Sequence, residues 1–220
     1  GNIDYYINKY HSVGIGGSFN GRNSTRIVTN ETIISNDVSS NKLFSENSFD
    51  RERNNFNFNP YYEYKTDTDK LIIDFNFFYF KDNTTNTLYG LENSTIPFTD
   101  RRYIQDGKYT IKTYRADYTK TFSDNFKLSA GTRFADVKTD NDLESQIQNN
   151  SGSFNKVDDE SSRFVIDETI FALYSKVNAK FGDWSFSGGL SYEDSNTDGT
   201  STFIKNGSMT PEVQTRPLKN

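Results

Sequence analysis

The 220-residue sequence holds no cysteine. That removes disulfides, thiolate metal sites and a cysteine nucleophile, and leaves the compartment open. It has one histidine, His11, at what reads as a chain corner. A histidine-based metal or catalytic centre needs converging partners, and none is apparent, so His11 reads first as a surface or interface residue. No apolar run reaches 18 residues, which excludes a helical membrane span. Charge of neither sign dominates: 25 Lys and Arg face 30 Asp and Glu, for a net charge of -5. There is no basic stripe, and so no expectation of nucleic acid binding. No secretion signal is read, so an exported chain would carry its signal outside this stretch.

Aromatic residues are what the chain does have. With 19 Phe and 14 Tyr among only 33% hydrophobic residues, it is too aromatic for a disordered chain and too polar for a thick core. Their spacing is informative. In FVIDETIFALYSKVNAK, Val165, Thr169, Phe171, Leu173, Val177, Ala179 and Phe181 share one face. Glu168, Tyr174, Lys176, Asn178 and Lys180 share the other. After the corner FGDW, Trp184, Phe186, Gly188, Leu190 and Tyr192 alternate with Ser185, Ser187, Gly189 and Ser191. A period of two on both arms is a β-hairpin with one greasy and one wet face.

The same unit recurs. Hairpins are expected near 2–21, 55–81, 109–137 and 164–194, with tight corners near residues 10, 67, 124 and 182. Longer polar stretches at 22–53, 82–108 and 138–163 separate them and read as outer loops, the first with room for a strand continuation such as RIVTNETII, and 195–220 reads as a polar tail. Phe56–Tyr64, Leu71–Tyr79, Phe126–Phe134 and Trp184–Tyr192 have apolar faces of one common span, nine residues each. A slab of fixed thickness explains that equality, since a tilted strand crosses a bilayer in about 9–11 residues. Aromatics flank every corner, as at a membrane interface. The fold expected is all-β: an antiparallel transmembrane β-barrel segment of about eight strands in four hairpins, forming one unit over 1–220. With both ends on the long-loop side, and no terminal aromatic strand in the closing LKN, it is expected to be an interior piece of a larger barrel, because unpaired edges are not tolerated in lipid.

The pieces SDNF, KL-AG, KTDND and YEDSNTDGT, clearest over 103–200, resemble the outer-membrane β-barrel domain of TonB-dependent-receptor-like proteins. The similarity is to the group in which a carboxypeptidase-regulatory-like domain and a plug precede the barrel. The resemblance implies a barrel of about 22 strands, energised uptake of a scarce nutrient, and a place in the outer membrane of a Gram-negative cell. The nutrient class (siderophore, glycan or peptide) stays open. The bilayer is then the immediate partner, and the plug and TonB engage through parts of the protein not in this stretch. A surface lipoprotein is a further candidate partner.

Candidate sites are few. Arg101, Arg102 and Tyr103 lie on an expected outer loop and are the ligand-contact candidates. Arg115, Asp117, Arg133, Glu168 and Lys176 alternate inward, where they pair with one another as on any wet face, line a solute path or clamp a plug. Asp194 to Gly199 matches the first half of a calcium loop, but the position that should hold a bidentate Glu is Lys205, so strand or loop is the plainer reading. Gly14, Gly16 and Gly17 lack the spacing and Lys of a phosphate loop. Asp158, Asp159 and Glu160 read as a solvated loop. Catalytic residues, metal ligands and cofactor are all expected to be none, and the protein is not expected to be an enzyme. The rival reading is a soluble or cell-surface adhesin-like β-domain with its apolar face buried in a sandwich. A glycan-enzyme fragment ranks below that, because no paired carboxylates stand out. Burial of Phe171, Leu173, Phe186 and Leu190 under a second layer would decide for the sandwich.

Overall fold

In a computed structural model of the chain, residues 1–35, 40–93, 96–205 and 208–216 are described, with side chains of 96–99, 204–205 and 208–216 left aside. The last four residues, PLKN, and the tips 36–39, 94–95 and 206–207 lie outside this description.

The chain folds up and down. Its strands are β1 (Asn2–Tyr6), β2 (His11–Ser35), β3 (Ser40–Lys65), β4 (Asp69–Glu92), β5 (Ile96–Ser123), β6 (Phe126–Gln148), β7 (Phe154–Lys156), β8 (Ser162–Phe181), β9 (Trp184–Lys205) and β10 (Ser208–Arg216). One turn of 3-10 helix spans Asp158–Glu160. Sequential neighbours pair antiparallel in the order β1-β2-β3-β4-β5-β6-β8-β9-β10, with β7 also on β6. All eight expected strands are present, joined at the four expected tight corners. Among the described residues, β1 pairs only with β2 and β10 only with β9, so the sheet is open.

Local chemistry sets the corners. At the first, Asn8 Oδ1 accepts from the Tyr10 and His11 N–H at 2.8 and 3.1 Å. At the second, Thr66 Oγ1 accepts from Asp69 N–H at 2.9 Å. Such side-chain caps replace the ladder partners a turn removes. In the FGDW corner Gly182 has φ +58°, a left-handed conformation that favours glycine. Pro60 interrupts a central strand and has no N–H to give. Asn59 next to it donates its side-chain amide to the Phe75 carbonyl, opposite Pro60, at 2.9 Å.

The expected loops differ from what is found. Residues 22–53 are strand on both sides of the tip, paired without a break from Gly21↔Asn54 to Ser35↔Ser40. Residues 82–108 continue β4 and β5, and much of 138–163 continues β6. The expected tail is β9 running on to Lys205 and then β10. The reason is physical. Period-two hydrophobicity marks a strand only when one face is apolar, and above the slab both faces are polar, so the ladder continues without a pattern.

There is almost no core. Among the described residues, Ala135 is the one buried hydrophobic side chain. Phe171, Leu173, Phe186 and Leu190 are 39, 46, 58 and 82% exposed, so no second layer seals them. A sandwich would bury this face about 10 Å from a partner sheet. Here one layer presents a continuous apolar face, and a soluble protein seldom leaves so wide a patch bare.

Candidate functional site: the two faces of the wall

The register shows where the apolar face begins and ends. On β5 it carries Tyr114, Ala116 and Tyr118, bounded at both ends by ion pairs. Lys120 meets Asp69 at 2.7 Å on the short-turn side, and Lys112 meets Asp136 at 3.4 Å on the far side. These pairs lie eight residues apart on one strand, about 26 Å at ~3.3 Å per residue. Tilted by about 40°, that is roughly 20 Å of thickness, close to the ~25 Å apolar band of an outer-membrane barrel. Beyond Lys112 the same face continues with Lys138–Asp167 at 3.3 Å and Arg163–Asp140 at 2.9 and 2.7 Å. Charges there belong in the headgroup layer and water, not in hydrocarbon. Exposed aromatics crowd the short-turn boundary, among them Phe122, Phe126, Phe181, Trp184 and Phe186.

The opposite face is polar, and its residues fall in rows. One register row crosses eight strands: Asp4, Gly14, Tyr61, Asp74, Arg115, Arg133, Ala172 and Glu193. Arg115 Nε donates to Asp74 at 2.8 Å and lies 3.3 Å from Asp117. Tyr61 reaches over Gly14 to donate to Asp4, two strands away. Tyr174 does the same over Gly131 to Asp117. At both sites glycine leaves the room for this, since a Cβ on Gly14 would run into the Tyr61 ring and one on Gly131 into the Tyr174 hydroxyl, and the tyrosine would have to shift. Arg133 spans Ala172 in the same manner, 3.9 Å from Glu193. Long side chains thus lie flat on the wall and clasp strands that share no ladder.

Asn57, Asn59, Asn76, Thr113 and Ser18 surround this row, and with its Asp74, Arg115 and Arg133 they line a basin of about 620 Å3. Asn76 donates to Asn57 at 3.1 Å. Of the five inward charges expected, all lie on this face; the row brings together Arg115 and Arg133, and Asp117 joins them from the next row, opposite Gly131. Glu168 (opposite Val137 and Thr197) and Lys176 (opposite Ser129 and Gly189) sit in other rows. Asp4, Tyr61, Asp74 and Glu193 were not singled out from sequence. Only the register aligns them, and no short-range spacing encodes a row across eight strands.

The outer candidates sit at the far rim. Arg101 binds Glu160 at 2.5 Å, and Glu160 also accepts from the buried Ser145 hydroxyl at 2.7 Å. Arg102 points to the other face, its guanidinium 3.8 Å from the Phe154 ring centre. Tyr103 shares the inner face with Arg101. These residues are pinned on strand β5, not carried on a loop. The Arg101 guanidinium and Ser145 hold the Glu160 carboxyl below the usual carboxylate range. Arg163 does the same for Asp140, and Arg51 for Asp82. Hydrogen bonds from Lys120, Thr68 and Tyr118 hold Asp69 far below it.

The remaining motifs are structural. His11 Nδ1 meets the Tyr62 hydroxyl at 2.7 Å and its ring lies 4.9 Å from that of Tyr64, at the interface. Asp194 to Gly199 is extended strand within β9, and consecutive side chains leave opposite faces, so it does not wrap a cation. Gly14 and Gly16 are wall positions under Tyr61 and Asn2. Asp158 to Glu160 form the 3-10 turn that delivers Glu160 to Arg101.

A family model described as the outer membrane protein beta-barrel family matches residues 62–215. No curated protein matches the chain.

Proposed function

This chain belongs to the outer membrane protein beta-barrel family and is an outer-membrane protein, and from that premise we propose that it is a section of the wall of a TonB-dependent receptor. In this reading the barrel takes up a scarce nutrient, and the section supplies lipid-facing wall, polar lining and outer rim. Its role is passage and recognition, without a reaction of its own. A plug and the contact with TonB would lie in other parts of the protein, and further strands would cover the two open edges, because unpaired backbone is costly in hydrocarbon. A surface lipoprotein closing over the rim would be an added partner.

The observation that carries this reading is the contrast between the two faces. A bare apolar face between two ion-pair boundaries backs directly onto a row of charges that would look into a water-filled bore. An adhesin-like β-domain has no use for a lipid-thick apolar band without a covering layer. The resemblance of residues 103–200 to TonB-dependent-receptor barrels supports the transport half.

The test is deletion of the gene in its own host, followed by growth on siderophore-bound iron, glycans and peptides as limiting sources, with and without a functional TonB. Loss of growth on one class, reproduced by loss of TonB, is the expected outcome. Unchanged growth on every source would overturn the transport reading while leaving the outer-membrane barrel in place.

A further inference from the structure

We propose that Arg133 and Arg115 form an anion-recognising station in the bore, selecting solutes that carry a carboxylate on a polyhydroxylated body. The proposal rests on the reading of this face as the lining of a solute path.

Arg115 and Arg133 are directly opposite on β5 and β6. Like charges in that position destabilise a sheet unless each is neutralised. Arg115 is neutralised twice, by Asp74 at 2.8 Å and Asp117 at 3.3 Å. Arg133 is not. Its closest carboxylate oxygen is on Glu193 at 3.9 Å, and its Nε is buried without a hydrogen-bond partner. A guanidinium carries five N–H donors in a planar fork suited to carboxylate. An incompletely satisfied fork beside a second arginine is therefore an unfilled place for an anion.

The surroundings set the rest of the ligand. Both arginines line the basin of about 620 Å3 on the polar face. Asn57, Asn59, Asn76, Thr113 and Ser18 line it too, and amides and hydroxyls of this kind both donate and accept. That array suits hydroxyl-bearing rings better than phosphate, which would need further cations. An apolar solute would leave the array unsatisfied.

The test uses the full-length protein in detergent and two probes, an oligomer of galacturonic acid and a neutral galactose oligomer of equal length. Calorimetric titration should show the acidic oligomer binding at least about tenfold tighter, the weight of one charge-assisted contact. Raising the salt concentration should shrink the difference. Arg133→Gln should abolish the preference and Arg133→Lys should retain part of it, with both variants checked for native heat-modifiable migration. Equal binding of the two oligomers, binding of neither, or an unchanged preference in a folded Arg133→Gln would overturn the proposal. Thr113→Cys, in full-length protein cleared of any cysteine outside this chain, gives a separate readout. With the full-length protein in phospholipid vesicles, no labelling by a lipid-dissolved thiol reagent, together with no acid preference, sinks the station and keeps the bore. Labelling of Thr113→Cys from the lipid phase in folded protein would sink the bore itself.

Discussion

Val177 gives the sharpest test of which solvent each face meets. It sits on the interior strand β8, between Leu128 and Gly188, and Gly188 is the centre of the Trp184–Tyr192 arm. Its neighbour Lys176 points to the other face at nearly the same depth, so the chain already tolerates a cation there. Val177→Arg turns a half-exposed apolar side chain into a charge at mid-slab. If the face meets hydrocarbon, the cost is about 2–4 kcal/mol at the bilayer midplane and about 0–1 kcal/mol near an interface. If it meets water, a surface substitution of this sort stays within about 0.5 kcal/mol. Phe181→Arg lies at the short-turn boundary, beside Trp184, and tests the depth dependence. Ser191→Arg, on the polar face opposite Tyr174, is the control. Equilibrium urea unfolding of the full-length protein in phospholipid vesicles should order the three as Val177→Arg far worse than Phe181→Arg, with Ser191→Arg near neutral. A Val177→Arg variant within about 0.5 kcal/mol of Ser191→Arg would refute the assignment of faces.

Gly131→Ala pushes a Cβ into the Tyr174 hydroxyl and should cost about 1–2 kcal/mol by opening the clasp to Asp117. In a Tyr174→Ala background the same change should cost less than about 0.5 kcal/mol, and a double-mutant cycle by urea unfolding measures that difference. Glu160 is held below its ordinary value by Arg101, so its contribution is present at neutral pH and is lost as the pH falls through the depressed value. Limited proteolysis between residues 149 and 161 should therefore accelerate below the usual carboxylate range, and in Glu160→Gln it should be fast at every pH.

The membrane-crossing part of each hairpin was legible because lipid imposes a pattern. Phe171, Leu173 and Val177 on one side and Tyr174 and Lys176 on the other admit only a strand with unlike solvents on its faces. Equal spans and aromatic corners then gave the slab. The strand extensions were legible only at RIVTNETII, where Ile27, Val28, Ile33 and Ile34 carry strand character; over Asn83 to Thr87 both faces are polar and the residues resemble those of a loop. Backbone pairing alone keeps such a ladder, and pairing partners are not written locally. The site was half legible for the same reason. Inward charge could be read for Arg115, Asp117 and Arg133 from alternation. The alignment of Arg115 and Arg133 with Asp4, Tyr61, Asp74 and Glu193 needed the register across eight strands. Arg101, Arg102 and Tyr103 were found at the rim but on the wrong kind of element.

That difference bears on recognition. A 28-residue β5 uses eight residues between its two ion-pair boundaries. The stretch from Lys112 out to Ile96 would stand about 50 Å along the strand at ~3.3 Å per residue. As a loop of this length, the same residues would have to be ordered whenever a ligand bound, at about 1–2 kcal/mol of backbone entropy per residue fixed. As a ladder, that cost is met once, on folding. Arg101 and Glu160 are then already in place, paired with each other and backed by the buried Ser145, with Tyr103 beside Arg101 on the same face. A rim built this way loses little freedom on binding, so each contact it makes adds more fully to affinity. Its selectivity should then depend on the side chains it holds fixed, and less on any folding of the rim around its ligand.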